Sequence, residues 1–176
     1  MTWPLLLNLD TNWLGQAPAG SVSSVHIILA TDAQWLADEV FAALGGPDTT
    51  FTHCREGRMV AGLVRERTPD LIILDLQIGT MGGIAVTMDM RLDESGGLLP
   101  HVLILVLLDR KADIHMARRS GADGWLIKPL DALRLRRASR AISAGGCFAE
   151  GVPVEAASVA EVATEETPAE EPVNAG

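Results

Sequence analysis

Five short apolar runs alternate with five segments of helical periodicity between residues 25 and 144, and this alternation constrains the fold more than any other feature. The runs are "VHIILAT", "TTFTHC", "DLIILD", "HVLILVLL" and "GWLI". "DLIILD" is apolar throughout, as a strand covered on both faces should be. "TTFTHC" is rich in Thr and Phe and reads as a more exposed strand. The segments between them place apolar residues at helical spacing, as with Leu36, Val40 and Leu44 in "AQWLADEVFAALGG". Glycines stop most of them: "GG" after the first and fifth, "SGG" after the third, Gly121 after the fourth. Pro69 follows the second. Strict alternation implies parallel strands, right-handed crossovers and helices on both faces: an α/β, doubly wound sheet of five strands. Functional groups of such a sheet gather at the carboxyl ends of the strands.

Composition sets the limits. The chain has 176 residues, enough for one domain with a core and tails. Residues 1–24 carry "GQAPAGSVSS" and read as a flexible leader that also holds Trp3, Leu5, Leu6, Leu7, Trp13 and Leu14. Residues 145–176 are mostly Ala, Glu, Val, Pro and Thr, and are expected to form an acidic, disordered tail. No apolar run is long enough to cross a bilayer. Cys54 and Cys147 show neither metal nor disulfide spacing, so the chain reads as cytoplasmic.

The net charge of −9 is unevenly spread. Residues 25–144 hold 14 basic and 15 acidic residues, whereas residues 145–176 hold seven glutamates and no basic residue. Residues 109–140 hold nine basic and four acidic residues. Arg118, Arg119, Arg134, Arg136, Arg137 and Arg140 fall on the fourth and fifth helical segments and read as one basic face. The glutamate tail is expected to fold back over it, in a weak and salt-sensitive pairing. Aromatic residues are not interleaved with these arginines, which argues against nucleic acid.

At the strand ends stand Thr31 and Asp32 after the first, Asp75 after the third, Val106 near the end of the fourth, and Lys128 after the fifth. Neighbouring carboxylates are stable together when a cation joins them or one is protonated. Hard oxygen ligands with room for water suit Mg²⁺. Lys128 can neutralise an anion held on one carboxylate. The three groups are fit to place a phosphoryl group on an aspartate. No glycine fingerprint of a dinucleotide or P-loop site follows any strand.

"HIILATDAQWL", "CREGRMVAGLVRERTPDLIILDLQIGTMGG" and "SGADGWLIKPL" together resemble the receiver domain of two-component response regulators, over residues 25–143. The resemblance implies a flavodoxin-like receiver fold with strand order 2-1-3-4-5. It implies Asp75 as phosphoacceptor, and Mg²⁺ held by Asp32, Asp75 and the backbone carbonyl of Gln77. It implies Lys128 as the phosphoryl contact and a cis Lys128–Pro129 bond. A histidine kinase or phosphotransfer protein would be the donor. Three switch positions depart from the family. Thr31 replaces an acidic residue. Val106 replaces Thr or Ser and cannot donate a hydrogen bond. Trp125 replaces Tyr or Phe, and its bulk weighs against an inward ring. Gly79 also stands where the family has Pro.

"ASRAISAGGCFAEG" resembles the linker that precedes a helix-turn-helix output domain, but the acidic tail follows it here. The expectation is a stand-alone receiver without direct DNA or membrane binding. It would act on a downstream protein, or pair as a homodimer, through the fourth and fifth helices. The other reading is a phosphorylation-independent pseudo-receiver, an interaction module. Neither is an enzyme in the usual sense.

Overall fold

A computed structural model describes residues 24–151. The expected leader, save its last residue, and residues 152–176 of the expected tail lie outside the described residues. The elements run β1 (Val25–Ala30), α1 (Gln34–Leu44), β2 (Thr49–Cys54), α2 (Val60–Glu66), β3 (Leu71–Asp75), α3 (Gly83–Ser95), β4 (Ile104–Leu108), α4 (Ile114–Arg119), β5 (Gly124–Ile127), α5 (Ala132–Ser143) and β6 (Phe148–Ala149). Short 3-10 turns at Gly57–Met59 and Lys111–Asp113 lead into α2 and α4. All strands pair in parallel, in the order β2-β1-β3-β4-β5-β6. The five-strand order 2-1-3-4-5 is therefore present, with a short sixth strand added at the β5 edge.

Alternation of side chains along each strand builds two cores. Ile28, Ile72, Leu74, Ile104, Val106 and Trp125 pack with Val60, Val64, Val86, Met90 and Ala117 of α2, α3 and α4. Ile27, Leu29, Leu71, Ile73, Leu105, Leu107 and Leu126 pack with α1 and α5 on the other face. β3 and β4 are buried at every residue, which explains their unbroken apolar sequence. β2 lies at an edge and is only partly covered.

Two expectations need correction here. The tail was expected to begin at residue 145, but Phe148–Ala149 form β6 and Glu150 is half-buried. Two residues carry no periodicity, and their order comes from the β5 edge rather than from their own composition. Trp125 was expected to resist an inward position, yet it is 3% exposed and packs in the core. Its partner across the strands is Val106, a smaller residue that leaves room for the indole. The ring nitrogen also finds an acceptor: Nε1 donates to the carbonyl of Glu150 at 3.0 Å.

Candidate functional site: a lysine shared by two carboxylates

The parallel register lifts four chain segments to one rim. Thr31 and Asp32 follow β1, Asp75 ends β3, Asp109 follows β4 and Lys128 follows β5. Ala30 pairs with Leu74, Asp75 with Leu107, and Leu108 with Ile127. The carboxyl ends thus stop at one level, and Lys128 crosses over β4 to reach β3.

Asp75 is 2% exposed, and both its oxygens are held. Lys128 Nζ donates to Oδ1 at 2.5 Å. The backbone N–H of Gln77 donates to the same oxygen at 3.3 Å. The Thr31 hydroxyl donates to Oδ2 at 2.8 Å. Thr31 is fixed in turn, since the Ala33 N–H donates to its Oγ1 at 3.1 Å and its carbonyl accepts from His53 Nε2 at 3.0 Å. Thr31 is therefore a neutral donor aimed at the Asp75 carboxylate. Asp32 is exposed at the mouth, beside Gly79. Gln77 is exposed on the loop after β3.

Asp109 was not singled out from the sequence. It takes a second bond from Lys128 Nζ at 2.9 Å, while its Oδ2 is buried with no partner among the described residues. The signal was present: "VLLD" ends in aspartate as "ILD" does, and Asp109 directly follows the fourth run. Val106 is fully buried one residue below the rim, between Leu74 and Trp125.

Burial acts to lower the Lys128 pKa. The hydrogen bonds and charges of Asp75 and Asp109 outweigh it, so the ammonium is held above the ordinary lysine value. A folded-state pKa raised above the unfolded one stabilises fully below about pH 10.4 and is lost as pH rises through the folded value. Thermal unfolding against pH should show this alkaline loss. In Asp109→Asn, which removes one of the two charges, the folded value should fall toward the unfolded one, so the loss should be smaller and complete at a lower pH.

The β3–α3 loop closes tightly on Asp75. A Cβ on Gly83 would overlap the Asp75 carbonyl oxygen, so only glycine lets α3 start there. Gly83→Ala is expected to cost about 1–3 kcal/mol, read as a lowered urea midpoint at unchanged slope. Thr80, in the same loop, has φ +70°, a backbone region that β-branched residues rarely adopt. The Lys128–Pro129 bond is cis.

The six arginines do not form one face. Arg134 Nη1 and Nη2 donate to the carbonyls of Pro129 and Ile127, each at 3.0 Å, and Arg134 pairs with Glu150. Arg136 turns the other way, its Nε donating to the Ala43 carbonyl of α1 at 2.6 Å. With Arg140 it lines a cleft between α1 and α5. Successive helix residues are rotated by about 100°, so positions two apart point in nearly opposite directions. Arg118, Arg119 and Arg137 are exposed.

The profile of the response regulator receiver domain matches residues 27–140. The chain belongs to the response regulator receiver family. Receivers of this family are modules of two-component signalling. The regulator MtrA of Mycobacterium tuberculosis is 31% identical over 104 residues, covering 59% of this chain and 44% of MtrA. PmrA of Pseudomonas aeruginosa is 30% identical over 119 residues, covering 68% of this chain and 52% of PmrA. The receiver thus spans about half the length of these relatives, and MtrA is described as DNA-binding. A LuxR-family regulator from Aurantimonas matches with a TM-score of 0.62 at 24% identity, over 77% of this chain and 94% of that one. The receiver domain of NarL from M. tuberculosis matches with a TM-score of 0.60 at 23% identity, over 70% and 98%. These two likenesses bear on the fold. No helix among the described residues is long and apolar enough to cross a membrane.

Proposed function

We propose that this receiver accepts a phosphoryl group on Asp75 from a histidine kinase or phosphotransfer protein, and signals through protein contacts. The observation that carries this reading is the placement of Asp75 at 2.5 Å from a charged lysine at the rim, with Asp32 alongside. An Asp75 oxygen would attack phosphorus, forming an O–P bond as the donor's P–N bond breaks, and the departing imidazole would take a proton. Lys128 would carry its charge from Asp75 Oδ1 to a phosphoryl oxygen while Asp109 keeps hold of the ammonium. Thr31 would have to release Oδ2. Charge neutralisation without new covalent chemistry is the main demand of such a transfer.

No group of three or more acidic, His or Cys side chains capable of holding a metal occurs among the described residues. Asp32, Asp75 and the Gln77 carbonyl are the groups that would hold Mg²⁺, and their hard oxygens are of the kind that ion takes. Magnesium bound there would supply positive charge to offset the negative charge of the transferring group. Thr31→Asp would add a carboxylate, and Mg²⁺ affinity should rise about tenfold, equivalent to roughly 1.4 kcal/mol. Calorimetric titration checks this. Unchanged affinity would place the metal elsewhere.

The test is intact mass after incubation with Mg²⁺ and a small phosphodonor. Gain of one phosphoryl group, absent in Asp75→Asn, supports the reading. One observation favours the phosphorylation-independent interaction module instead: both oxygens of the Asp75 carboxylate already accept hydrogen bonds within the chain. No mass gain would favour that reading. In either case the protein works as a signalling module rather than a turnover enzyme. Its downstream partner is a protein met through α4 and α5, and direct DNA binding is not part of the reading.

A further inference from the structure

β5 would be the outer strand of the sheet but for three residues. Phe148 pairs with Gly124 and Ala149 with Trp125, in parallel. The approach is close: a Cβ on Gly124 would lie 2.8 Å from the Phe148 carbonyl oxygen and 2.7 Å from Ile142 Cδ1. Gly124 is therefore a seat for this segment. The next residue, Glu150, makes three further contacts, two with β5 and one with α5. Its carbonyl accepts from Trp125 Nε1 at 3.0 Å. Its Oε2 accepts from the backbone N–H of Ile127 at 2.8 Å. Its Oε1 pairs with Arg134, which also binds the Ile127 carbonyl. One residue thus engages β5 at two alternate positions, and α5 as well.

Without this segment the outward-facing N–H and C=O groups of β5, those not paired with β4, would be open, a ready template for another chain. The helices that flank β5 add apolar surface, with Met116 of α4 and Leu133 of α5 being 53% and 65% exposed. An open strand edge favours self-association. The segment covering it belongs to the chain itself, and only residues 144–147 join it to α5.

We propose that Phe148–Glu150 is a latch acting in cis, which fills the β5 edge, holds Trp125 and Arg134, and closes the α4–β5–α5 face to a second copy of the chain. Glu150 is its bolt. This goes beyond the phosphoryl reading and does not depend on it. The Arg134 pair is half-buried and charged, so high salt weakens the latch.

The test uses the full chain labelled with ¹⁵N. The Trp125 indole N–H resonance, identified by its loss in Trp125→Phe, is followed by hydrogen exchange, and self-association by sedimentation velocity. The intact chain should stay monomeric with a slowly exchanging indole. Glu150→Ala should exchange at least about tenfold faster and form dimers as its concentration rises. Glu150→Gln keeps an acceptor for Ile127 but loses the charge, and should fall between. Arg134→Ala opens the latch from the other side and should change both readings in the same direction. Far-UV circular dichroism confirms that each variant is folded. Unchanged exchange in Glu150→Ala overturns the latch. Faster exchange in a variant that stays monomeric overturns its guarding role, as does a dimer of the intact chain with the indole still protected.

Discussion

Replacing Asp75 with asparagine is expected to abolish uptake of a phosphoryl group while leaving the fold intact. The amide keeps one oxygen to accept from Lys128, and its NH₂ can donate to the Thr31 hydroxyl. The rim therefore stays paired. What disappears is the anionic oxygen that forms the O–P bond. Lys128→Gln should act differently, keeping the nucleophile and losing the charge. Its uptake should slow by about 10²–10³-fold, the scale found when one preorganised stabilising group is removed. Mass measured against time separates the two variants. Equal uptake by the native chain and Asp75→Asn would move the modification to another residue.

Trp125→Ala is expected to destabilise the domain by about 3–5 kcal/mol in urea unfolding, the range for loss of a large buried aromatic side chain. The ring is 3% exposed and packs with Val106 and the α3 and α4 side chains, so its removal leaves a cavity in the larger core. It also orphans the Glu150 carbonyl. Trp125→Phe refills much of the cavity and loses only the indole N–H, so its cost should be about 1–3 kcal/mol. The difference between the variants measures packing, and the remainder measures the bond to the latch. A cost under about 1 kcal/mol for alanine would mean that the ring is not held inward.

The two predictions rest on different kinds of information. Asp75 was legible in the sequence because an apolar run with no polar break must be a buried strand. Its terminal carboxylate then has nowhere to go but the rim. The same logic located Asp32 and Lys128, since parallel strands in strict alternation end at one level. It would also have located Asp109, which closes the fourth run as Asp75 closes the third. The opposed directions of Arg134 and Arg136 were legible too, from helical rotation alone, once their shared charge no longer suggested a shared face.

The position of Trp125 was not legible. Whether a ring turns inward depends on the volume left by residues distant in sequence, here Val106 on β4, and on an acceptor 25 positions away. Nor was β6, because two residues show no period and their composition matches the tail that follows. Periodicity records how each segment divides between core and solvent, and so decided the alternation, the buried strands and the acidic rim. Only the tertiary structure decided that Lys128 is shared between Asp75 and Asp109, and that the tail's first glutamate closes on β5. Both depend on side chains from separate segments meeting at hydrogen-bonding distance, which no local pattern encodes.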